Sequence, residues 1–293
     1  MGRIEEFVKD KGDKMALIIS IWLMLFVIAI TIGIIAIVIA VSQRYEGNTV
    51  QSSKITSISS KRRSTGKGYR RNNKVIFIDT AIESSQYYKS EYYNETKIPY
   101  TVMARDTGKY GEYLSYHYLK DYSNFGGKFL FNTYLPMGNN KTTEIDLILL
   151  YPFGIFVIES KNYSGWIFGN ENDKYWTQVL STGKGKSEKK HFYNPVAQNK
   201  GHIRQLRKYI PERIPIYSMI VFSERCELKN ITISSTDTKV IKRDRLRWNV
   251  DMIKLQFPIE QEEIDRIYQR LYPYTKVTDE VKQKHIQQFD TNR

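Results

Sequence analysis

Cysteine is almost absent from this sequence, and histidine is scarce. Cys226 is the one cysteine in these residues, so they can form neither an internal disulfide nor a cysteine-rich zinc site. The four histidines are scattered, which argues against a histidine-based metal centre. A bound metal would therefore need oxygen ligands, and the single thiol fits a reducing compartment.

Glycine-rich phosphate loops and internal repeats are also missing. The glycines at 126, 127, 165 and 169 have neither P-loop nor dinucleotide-binding spacing. The sequence therefore has no obvious kinase or NTPase motif.

Acidic residues are fewer than basic ones, 31 against 45, and the formal net charge is +14. Such a surface should attract polyanions, either nucleic acid or anionic lipid headgroups. The alternative is that the excess charge only keeps the protein soluble. With 293 residues, 41% of them hydrophobic, the chain has room for a membrane segment and one domain of ordinary size.

One long uncharged, apolar run occupies residues 15–41, after a short tail at 1–14. A helix of this length reaches roughly 40 Å, more than the roughly 30 Å hydrocarbon core of a bilayer. The run is also longer than the apolar region of a signal peptide, about 7 to 15 residues. It predicts one transmembrane helix. Basic residues flank it almost equally, and the longer basic stretch that follows predicts a single-pass cell-membrane protein with a cytoplasmic C-terminal domain.

Residues 42–75 are rich in Ser, Lys, Arg, Gly and Asn, and poor in large apolar side chains. Such a segment cannot bury enough surface to offset its ordering entropy, so a basic flexible linker is expected. Its basic residues could contact anionic lipid or nucleic-acid phosphates, and nothing local decides between them. An edge strand is expected at 74–80, and the Tyr-rich stretch 87–100 indicates no clear element.

The remaining pattern predicts a mixed α/β core. The expected elements are a helix at 107–122, strands at 128–135, 143–151 and 154–160, a hairpin through 166–169 and 175–180, a helix from Asn194, a strand at 214–223, and helices at 259–272 and 276–289. A turn at Pro152 and Gly154 requires its two strands to pair antiparallel. Asn194 as N-cap and Pro195 at the first helical position mark a helix start.

Three charged residues, Asp146, Glu159 and Lys161, interrupt these apolar strands. Residues of equal parity share one face of a strand, so Glu159 and Lys161 lie side by side, and the hairpin brings Asp146 near Glu159. Burying two carboxylates together is costly unless positive charge lies between them. Lys161 and a hard cation such as Mg²⁺, held by both carboxylates and the Ser160 carbonyl, would supply that charge.

This set of groups suits phosphodiester hydrolysis. The metal would polarise the phosphate and lower the pKa of a bound water, while Lys161 would orient the nucleophile and offset transition-state charge. The alternative is a structural ion pair at a strand edge, because so short a pattern recurs by chance.

From about Tyr110 to Phe222 the chain resembles the NERD domain, the nuclease-related domain placed in the PD-(D/E)XK endonuclease-like superfamily. The resemblance rests on Gly111-Glu112, "TEIDLIL", "GIFVIESKNYSGWIFG", Trp176, "YNPVAQNKGHI" and "IPIYSMIVFS", in this order. It implies a restriction-endonuclease-like mixed sheet flanked by helices over 76–222, with its core at 108–222 and a C-terminal extension at 223–293.

The resemblance also implies residue roles. Asp146 and Glu159 would bind the metal, Lys161 would be the catalytic lysine, Glu112 would add a carboxylate ligand, and Gln198 would lie at the site. The implied cofactor is Mg²⁺ or Mn²⁺, and the implied substrate is DNA or RNA. An alternative interpretation makes Glu112 a partner of the helix dipole, in the first turn of its helix, and not a metal ligand. For Gln198 the alternative is membership of a buried hydrogen-bond network without a role at the site.

Four other residues near the site are expected to have mainly structural positions. Ser160 stands where the family commonly has threonine, with its carbonyl as the functional atom. His202, four residues after Gln198 and on the same helix face, is expected to be a satisfied core or surface histidine. Trp166 and Trp176 are expected in the core, with base stacking as the alternative.

The prediction is thus a membrane-anchored, metal-dependent nuclease. Its phosphate contacts are expected from Arg204, Arg207 and Lys208, and from a mobile basic loop at 181–190. One alternative is a non-catalytic module that binds nucleic acid or protein at the membrane. Another is a structural protein whose basic parts bind anionic lipid.

Overall fold

The structure is a computed structural model and describes residues 84–183 and 185–290. Four predicted segments lie outside the described residues: the tail 1–14, the transmembrane helix 15–41, the linker 42–75 and the strand 74–80. Among the described residues, no helix has both the length and the apolar character needed to cross a membrane.

The described part of the chain folds into nine strands and eight α-helices. In chain order the elements are α1 (Ser84–Tyr88), α2 (Glu91–Thr96), α3 (Tyr100–Met103), α4 (Thr107–Leu119), β1 (Lys128–Gly138), β2 (Lys141–Tyr151), β3 (Gly154–Lys161), β4 (Gly165–Asn170), β5 (Tyr175–Gly183), β6 (Lys186–Tyr193), α5 (Pro195–Leu206), β7 (Ile216–Phe222), β8 (Cys226–Thr232), β9 (Thr238–Lys242), α6 (Leu246–Asp251), α7 (Gln261–Leu271) and α8 (Asp279–Asp290).

The first sheet has the strand order β1-β2-β3-β7-β9. β2 pairs antiparallel with both β1 and β3. β7 pairs parallel with β3, and β9 pairs parallel with β7. The turn between β2 and β3 ends at Gly154, whose φ is 135°. A Cβ there would lie 2.5 Å from Tyr217 Cε2, so the turn requires glycine. The predicted antiparallel hairpin is confirmed.

Both faces of the first sheet are buried, which explains why β3 reads as a continuous apolar run. Phe156 and Ile158 pack with α4 and α6 on one face. Ile155 and Val157 pack with α5 and α7 on the other. Glu159 and Lys161 continue the second row, so their side chains reach the α5 face at the end of β3.

A second sheet, with the order β6-β5-β4-β8, was not expected as a separate layer. The mixed α/β class is confirmed, but the strands divide between two mixed sheets. β4 follows β3 after three residues, and β8 follows β7 in the same way. Gly165, with φ of 79°, begins β4, and a Cβ there would meet the Val179 carbonyl at 2.3 Å.

The prediction of a mobile basic loop at 181–190 is wrong for most of its length. Strand β5 runs to Gly183 and β6 begins at Lys186, with Leu180 opposite Glu188 and Val179 opposite Lys189. Ladder hydrogen bonds come from the backbone, so charged side chains do not prevent pairing. Lysines on an edge strand such as β6 also discourage pairing with another chain.

The ends of the described region complete the core. The Tyr-rich stretch forms α1–α3, and the Tyr87 ring lies 4.9 Å from that of Tyr113 on α4. The two predicted closing helices are present as α7 and α8, each shifted by a few residues at its ends. β8, β9 and α6 were not predicted, because no marked periodicity was recognised between the strand at 214–223 and the closing helices.

Candidate active site

Asp146 and Glu159 lie where the pairing of β2 and β3 stops. The last paired residues are Leu147 and Ile158, and Asp146 and Glu159 each come one position beyond them. There the Ser160 N–H donates to Asp146 Oδ2 at 3.3 Å. Because a strand residue directs its N–H and C=O towards the same neighbour, the Ser160 carbonyl also faces β2 beside Asp146.

Lys161 joins Glu159 to helix α5. Its Nζ lies 2.5 Å from Glu159 Oε1 and donates to Gln198 Oε1 at 3.2 Å. Only 16% of the Lys161 side chain and 2% of the Glu159 side chain are exposed. The predicted side-by-side placement of Glu159 and Lys161 is confirmed, and Gln198 lies next to them.

His202 is buried on α5, one turn after Gln198. Its Nδ1 lies 2.6 Å from Thr143 Oγ1. Its Nε2 is 3.2 Å from Glu159 Oε2, an ion-pair distance without the alignment of a direct hydrogen bond. Of the two expected positions, core or surface, His202 thus takes the core, whereas its contact with Glu159 was not predicted. The signal for it was the four-residue spacing from Gln198, which puts both side chains on one helix face.

Charges around Glu159 and Lys161 favour the ionised form of both. Burial by itself would raise the pKa of Glu159, but Lys161 and His202 outweigh it and lower that pKa to about 2. Burial by itself would lower the pKa of Lys161, but Glu159 and Asp146 outweigh it and raise that pKa above its usual range. The pair is therefore a carboxylate and an ammonium at neutral pH.

Asp146 is in the opposite situation. Burial, together with the nearby charges of Glu159 and Glu112, holds the pKa of its carboxyl well above the usual range, with Lys161 opposing. The charges of two other carboxylates thus act on the Asp146 carboxyl, and Lys161 opposes them only in part. This is the electrostatic condition in which an additional cation is favoured.

Glu112 lies in the second turn of α4, not in its first turn as expected. The helix begins at Thr107, as predicted, with Asp106 as the N-cap that accepts from the N–H groups of Gly108 and Lys109 at 2.9 and 3.1 Å, so Glu112 is its sixth residue. Glu112 is therefore outside the range in which the helix dipole alone would account for an acid.

The surroundings of Glu112 connect it with the other carboxylates. Tyr92 OH donates to Glu112 Oε2 at 3.4 Å. Burial raises the pKa of Glu112 to about 7, with Glu144 and Asp106 adding to the rise and Lys109 opposing it. The charge of Glu112 raises the pKa of Asp146. Within the part of the chain that the structure describes, the two side chains share no hydrogen bond.

Glu144 is a fourth carboxylate in this region and was not predicted. It accepts from Tyr134 OH at 2.6 Å and from Asn132 Nδ2 at 3.1 Å. His285 Nε2 of α8 lies 3.6 Å from its second oxygen. The "TEID" sequence puts Glu144 two residues before Asp146, and this spacing was the available signal.

Helix α4 packs directly against the end of β3. A Cβ on Gly111 would lie 2.7 Å from Asn162 Cβ, so only glycine allows this approach. Ser115 Oγ and Ser160 Oγ lie 3.2 Å apart. The Ser160 side chain is thus engaged with α4, while its backbone faces Asp146.

Two of the predicted phosphate contacts have other partners. Arg207 Nη1 donates to the carbonyls of Pro211 and Ile214 at 3.1 and 2.8 Å, which fixes the chain after α5. Lys208 Nζ donates to Gln205 Oε1. Arg204 is exposed on α5 and remains a candidate.

The two tryptophans of this region differ. Trp176 is 1% exposed and stacks on Phe222, so its expected core position is confirmed. Trp166 is 50% exposed, and the expectation that it packs in the core is wrong. β4 alternates, and Ile167 rather than Trp166 faces inward.

The oxygen donors of Asp146, Glu159 and Ser160 have the chemistry that Mg²⁺ or Mn²⁺ prefers. Within residues 84–183 and 185–290, however, no three His, Cys, Asp or Glu side chains are close enough together to hold a metal ion. The predicted ligand Glu112 therefore does not join Asp146 and Glu159 in one cluster.

Comparison with known proteins agrees with the resemblance described above. Residues 107–223 match the family model of the nuclease-related domain. An uncharacterized protein of Bacillus anthracis is 30% identical over 145 residues, which cover 50% of this chain and 66% of that protein. The chain thus matches slightly less than two thirds of the length of this curated relative. No solved structure matches the chain.

The matched region contains helix α4, strands β2 and β3, and three of the four strands of the second sheet. It coincides with the span, Tyr110 to Phe222, over which the sequence motifs occur in order. A NERD domain, a nuclease-related domain, is thus found at residues 107–223 by similarity to its family model.

Proposed function

We propose that this protein is a nuclease that uses Mg²⁺ or Mn²⁺ to hydrolyse phosphodiester bonds of DNA or RNA. The observation that carries the proposal is the convergence of Asp146, Glu159 and Lys161 at the C-terminal end of β3, where Glu159 is buried, within a nuclease-related domain. A fold alone does not establish an activity, so the argument rests on these groups and their chemistry.

Asp146, Glu159 and the Ser160 carbonyl are the groups that would hold the metal. The pKa of Asp146, raised first by burial and then by the charges of Glu159 and Glu112, supports this assignment, because a bound cation would offset both effects. When bound, the metal would polarise the scissile phosphate and lower the pKa of a bound water. Asp146 would then be ionised, and its neighbours Glu112 and Glu144 would keep the region attractive to cations.

Lys161 has the properties of a group that offsets negative charge on the reacting phosphate. Its raised pKa keeps it protonated, and Glu159 and Gln198 hold its ammonium in one position. A preorganised charge in a desolvated site stabilises a transition state more strongly than one in water. His202 and Thr143 support Glu159 from the other side, as outer residues commonly do for metal-binding carboxylates.

We extend the proposal to the location of the activity. The uncharged run at 15–41 would anchor the protein in the cell membrane as a single pass, and the basic residues of 42–75 would keep the nuclease on the cytoplasmic side. That basic linker would also contact anionic lipid headgroups. Deleting residues 15–41 should move the protein from the membrane to the soluble fraction; retention of the deleted form at the membrane would contradict the anchor.

A second candidate is a module that binds nucleic acid without cutting it. One observation favours it: both Glu159 oxygens already have partners, Lys161 and His202, so a metal must compete for them. The complete Asp146, Glu159 and Lys161 set favours the nuclease, because a site without catalytic function has no need of this costly burial.

Cleavage by the full chain would decide between the two. Linear, circular and single-stranded DNA, and RNA, would each be incubated with Mg²⁺, with Mn²⁺ and with EDTA. Metal-dependent cleavage should be abolished by Asp146→Asn and by Lys161→Met. Lys239→Met, at an exposed lysine of β9, removes the same charge away from β3 and should cleave like the wild type. Binding without cleavage by the wild type would refute the nuclease and support the module.

A further inference from the structure

The second sheet turns aromatic side chains towards solvent. Trp166 of β4, Tyr175 of β5 and Tyr193 of β6 expose 50%, 53% and 49% of their surface. Register puts Tyr175 opposite Tyr193 and Trp166 opposite Val179, so all four belong to one face of the sheet. We call these residues, together with Lys189 opposite Val179, the outer face. The other face of the same strands holds the buried Trp176.

Cationic side chains stand beside these rings. Lys229 Nζ of β8 lies 5.3 Å from the centre of the Trp166 ring, and Lys174 Nζ lies 5.3 Å from that of Tyr175. An acidic residue is also present beside Lys229, because Glu227 forms an ion pair with it. Each ammonium lies over one face of its ring, which leaves the ring's other face for a base and puts a cation near that base's phosphate, and this combination binds single-stranded nucleic acid.

The outer face begins close to the candidate active site. Lys161 and Trp166 are five residues apart, so their Cα atoms are separated by at most roughly 18 Å. The β7–β8 connection contributes Arg225, whose Nη2 donates to the Asn162 carbonyl at 3.0 Å and whose Nε donates to Ser223 Oγ at 3.1 Å. Arg225 is nevertheless an exposed residue, so an oriented guanidinium is accessible beside Asn162, which lies between Lys161 and Trp166 in the chain.

We infer that the outer face binds a single-stranded segment of the nucleic-acid substrate, and that Arg225 contacts a phosphate where this segment approaches Lys161. The inference rests on the proposed function and specifies the form of its substrate, a strand that is unpaired beside the cleavage point. Stacking on Trp166 and the two tyrosines requires free base faces, which a paired duplex does not present. Continuity with the phosphodiester site favours nucleic acid over an anionic membrane as the occupant.

Binding by the full chain in EDTA tests this inference separately from cleavage. The probes are a fluorescein-labelled single-stranded oligothymidylate, a duplex of equal length and phosphatidylserine vesicles. Trp166→Ala and the double variant Tyr175→Ala with Tyr193→Ala should each weaken single-strand binding by about 5- to 150-fold. Trp166→Phe, which keeps a stacking ring, should retain most of the affinity. Trp248→Ala, at a tryptophan of α6 that is 58% exposed, is the matched control and should bind like the wild type.

Arg225→Ala should reduce the slope of log affinity against log salt by about 0.7, the value for one phosphate contact on a single strand. Equal affinities of Trp166→Ala and Trp248→Ala would overturn the inference. The inference would also be overturned if Trp166→Ala weakened duplex binding as much as single-strand binding. It would be overturned as well if Trp166→Ala weakened only the binding to vesicles. If Trp166→Ala and Trp166→Phe have equal melting temperatures, the weaker binding of Trp166→Ala results from lost stacking and not from lost folding. Single-strand binding that needs Trp166, without any cleavage, would refute the proposed nuclease and leave this inference standing.

Discussion

Replacing Lys161 by methionine should destabilise the protein by an amount that depends on pH. The substitution keeps an unbranched side chain of similar length but removes the ammonium that lies 2.5 Å from Glu159 Oε1. Glu159, with 2% of its side chain exposed, then keeps a buried carboxylate without its closest cation. The perturbation therefore measures the cost of leaving the buried Glu159 carboxylate without its ammonium partner.

The pKa of Glu159 sets the size of the effect. The pKa falls from its ordinary value of 4.5 to about 2, because Lys161 and His202 outweigh the effect of burial. A shift of this size corresponds to roughly 3 kcal/mol of folding free energy, at about 1.4 kcal/mol for each pKa unit. Removing one member of a buried ion pair typically costs about 3 to 5 kcal/mol, which agrees with this value. A loss of about 3 kcal/mol is thus expected near pH 7.

The sign of the pH dependence follows from the same shift. In the wild type the contribution of Glu159 is fully present above its unfolded pKa of 4.5 and is lost as pH falls towards 2. In Lys161→Met, burial raises the pKa of Glu159 and only His202 remains to oppose that rise, so the folded variant takes up a proton at higher pH than the wild type does. The stability difference should therefore be largest near neutral pH and shrink as pH falls towards 4.5.

Urea unfolding of the full chain in EDTA, followed from pH 8 to pH 4.5, measures this difference. The double variant Lys161→Met with Glu159→Gln should recover much of the lost stability, because no unpaired charge remains buried. Lys239→Met, at an exposed lysine, should change stability by less than about 0.5 kcal/mol. A loss that is absent at pH 7, or that grows as pH falls, would refute the reasoning about this pair.

Three further predictions concern other parts of the domain. Gly111→Ala should lower the free energy of unfolding by about 1 to 3 kcal/mol, because its Cβ would lie 2.7 Å from Asn162 Cβ; urea unfolding that matches the wild type would contradict this. Glu171, whose pKa is lowered chiefly by the hydrogen bond from Lys200, should contribute stability that is lost as pH falls below 4.5, so Glu171→Gln should flatten that pH dependence. Burial raises the pKa of Cys226 to about 11, so a thiol reagent should react with it only on unfolding, and rapid labelling of the native protein would count against its burial.

Local spacing was sufficient for the centre of the site. The two-residue period of a strand makes Glu159 and Lys161 neighbours wherever that strand packs. The turn at Pro152 and Gly154 leaves antiparallel pairing as the only arrangement, and this pairing brings Asp146 to Glu159. The start of α5 at Asn194 is equally local, since its side chain accepts from Val196 N and Ala197 N.

Other features depend on contacts between distant parts of the chain. Glu112 and Glu159 come from α4 and β3. Both raise the pKa of Asp146, and they can do so together only because Gly111 allows α4 to pack closely against the end of β3. His202 meets Thr143 across 59 positions in sequence. The separation into two sheets likewise follows from the long-range pairing of β4 with β8, which no local pattern indicated.

The sequence by itself determined the class of the fold, the charged set on β2 and β3 and the helix starts, because strand parity, turns and capping act within a few residues. Only the tertiary structure decided which charges are buried together, which tryptophan faces solvent and which arginines remain available. The physical reason is that burial and ion pairing depend on which elements pack against each other. Trp166 and Trp176 illustrate this: both are tryptophans on neighbouring strands, and the side of the sheet that packs on the core makes one a core residue and the other a surface one.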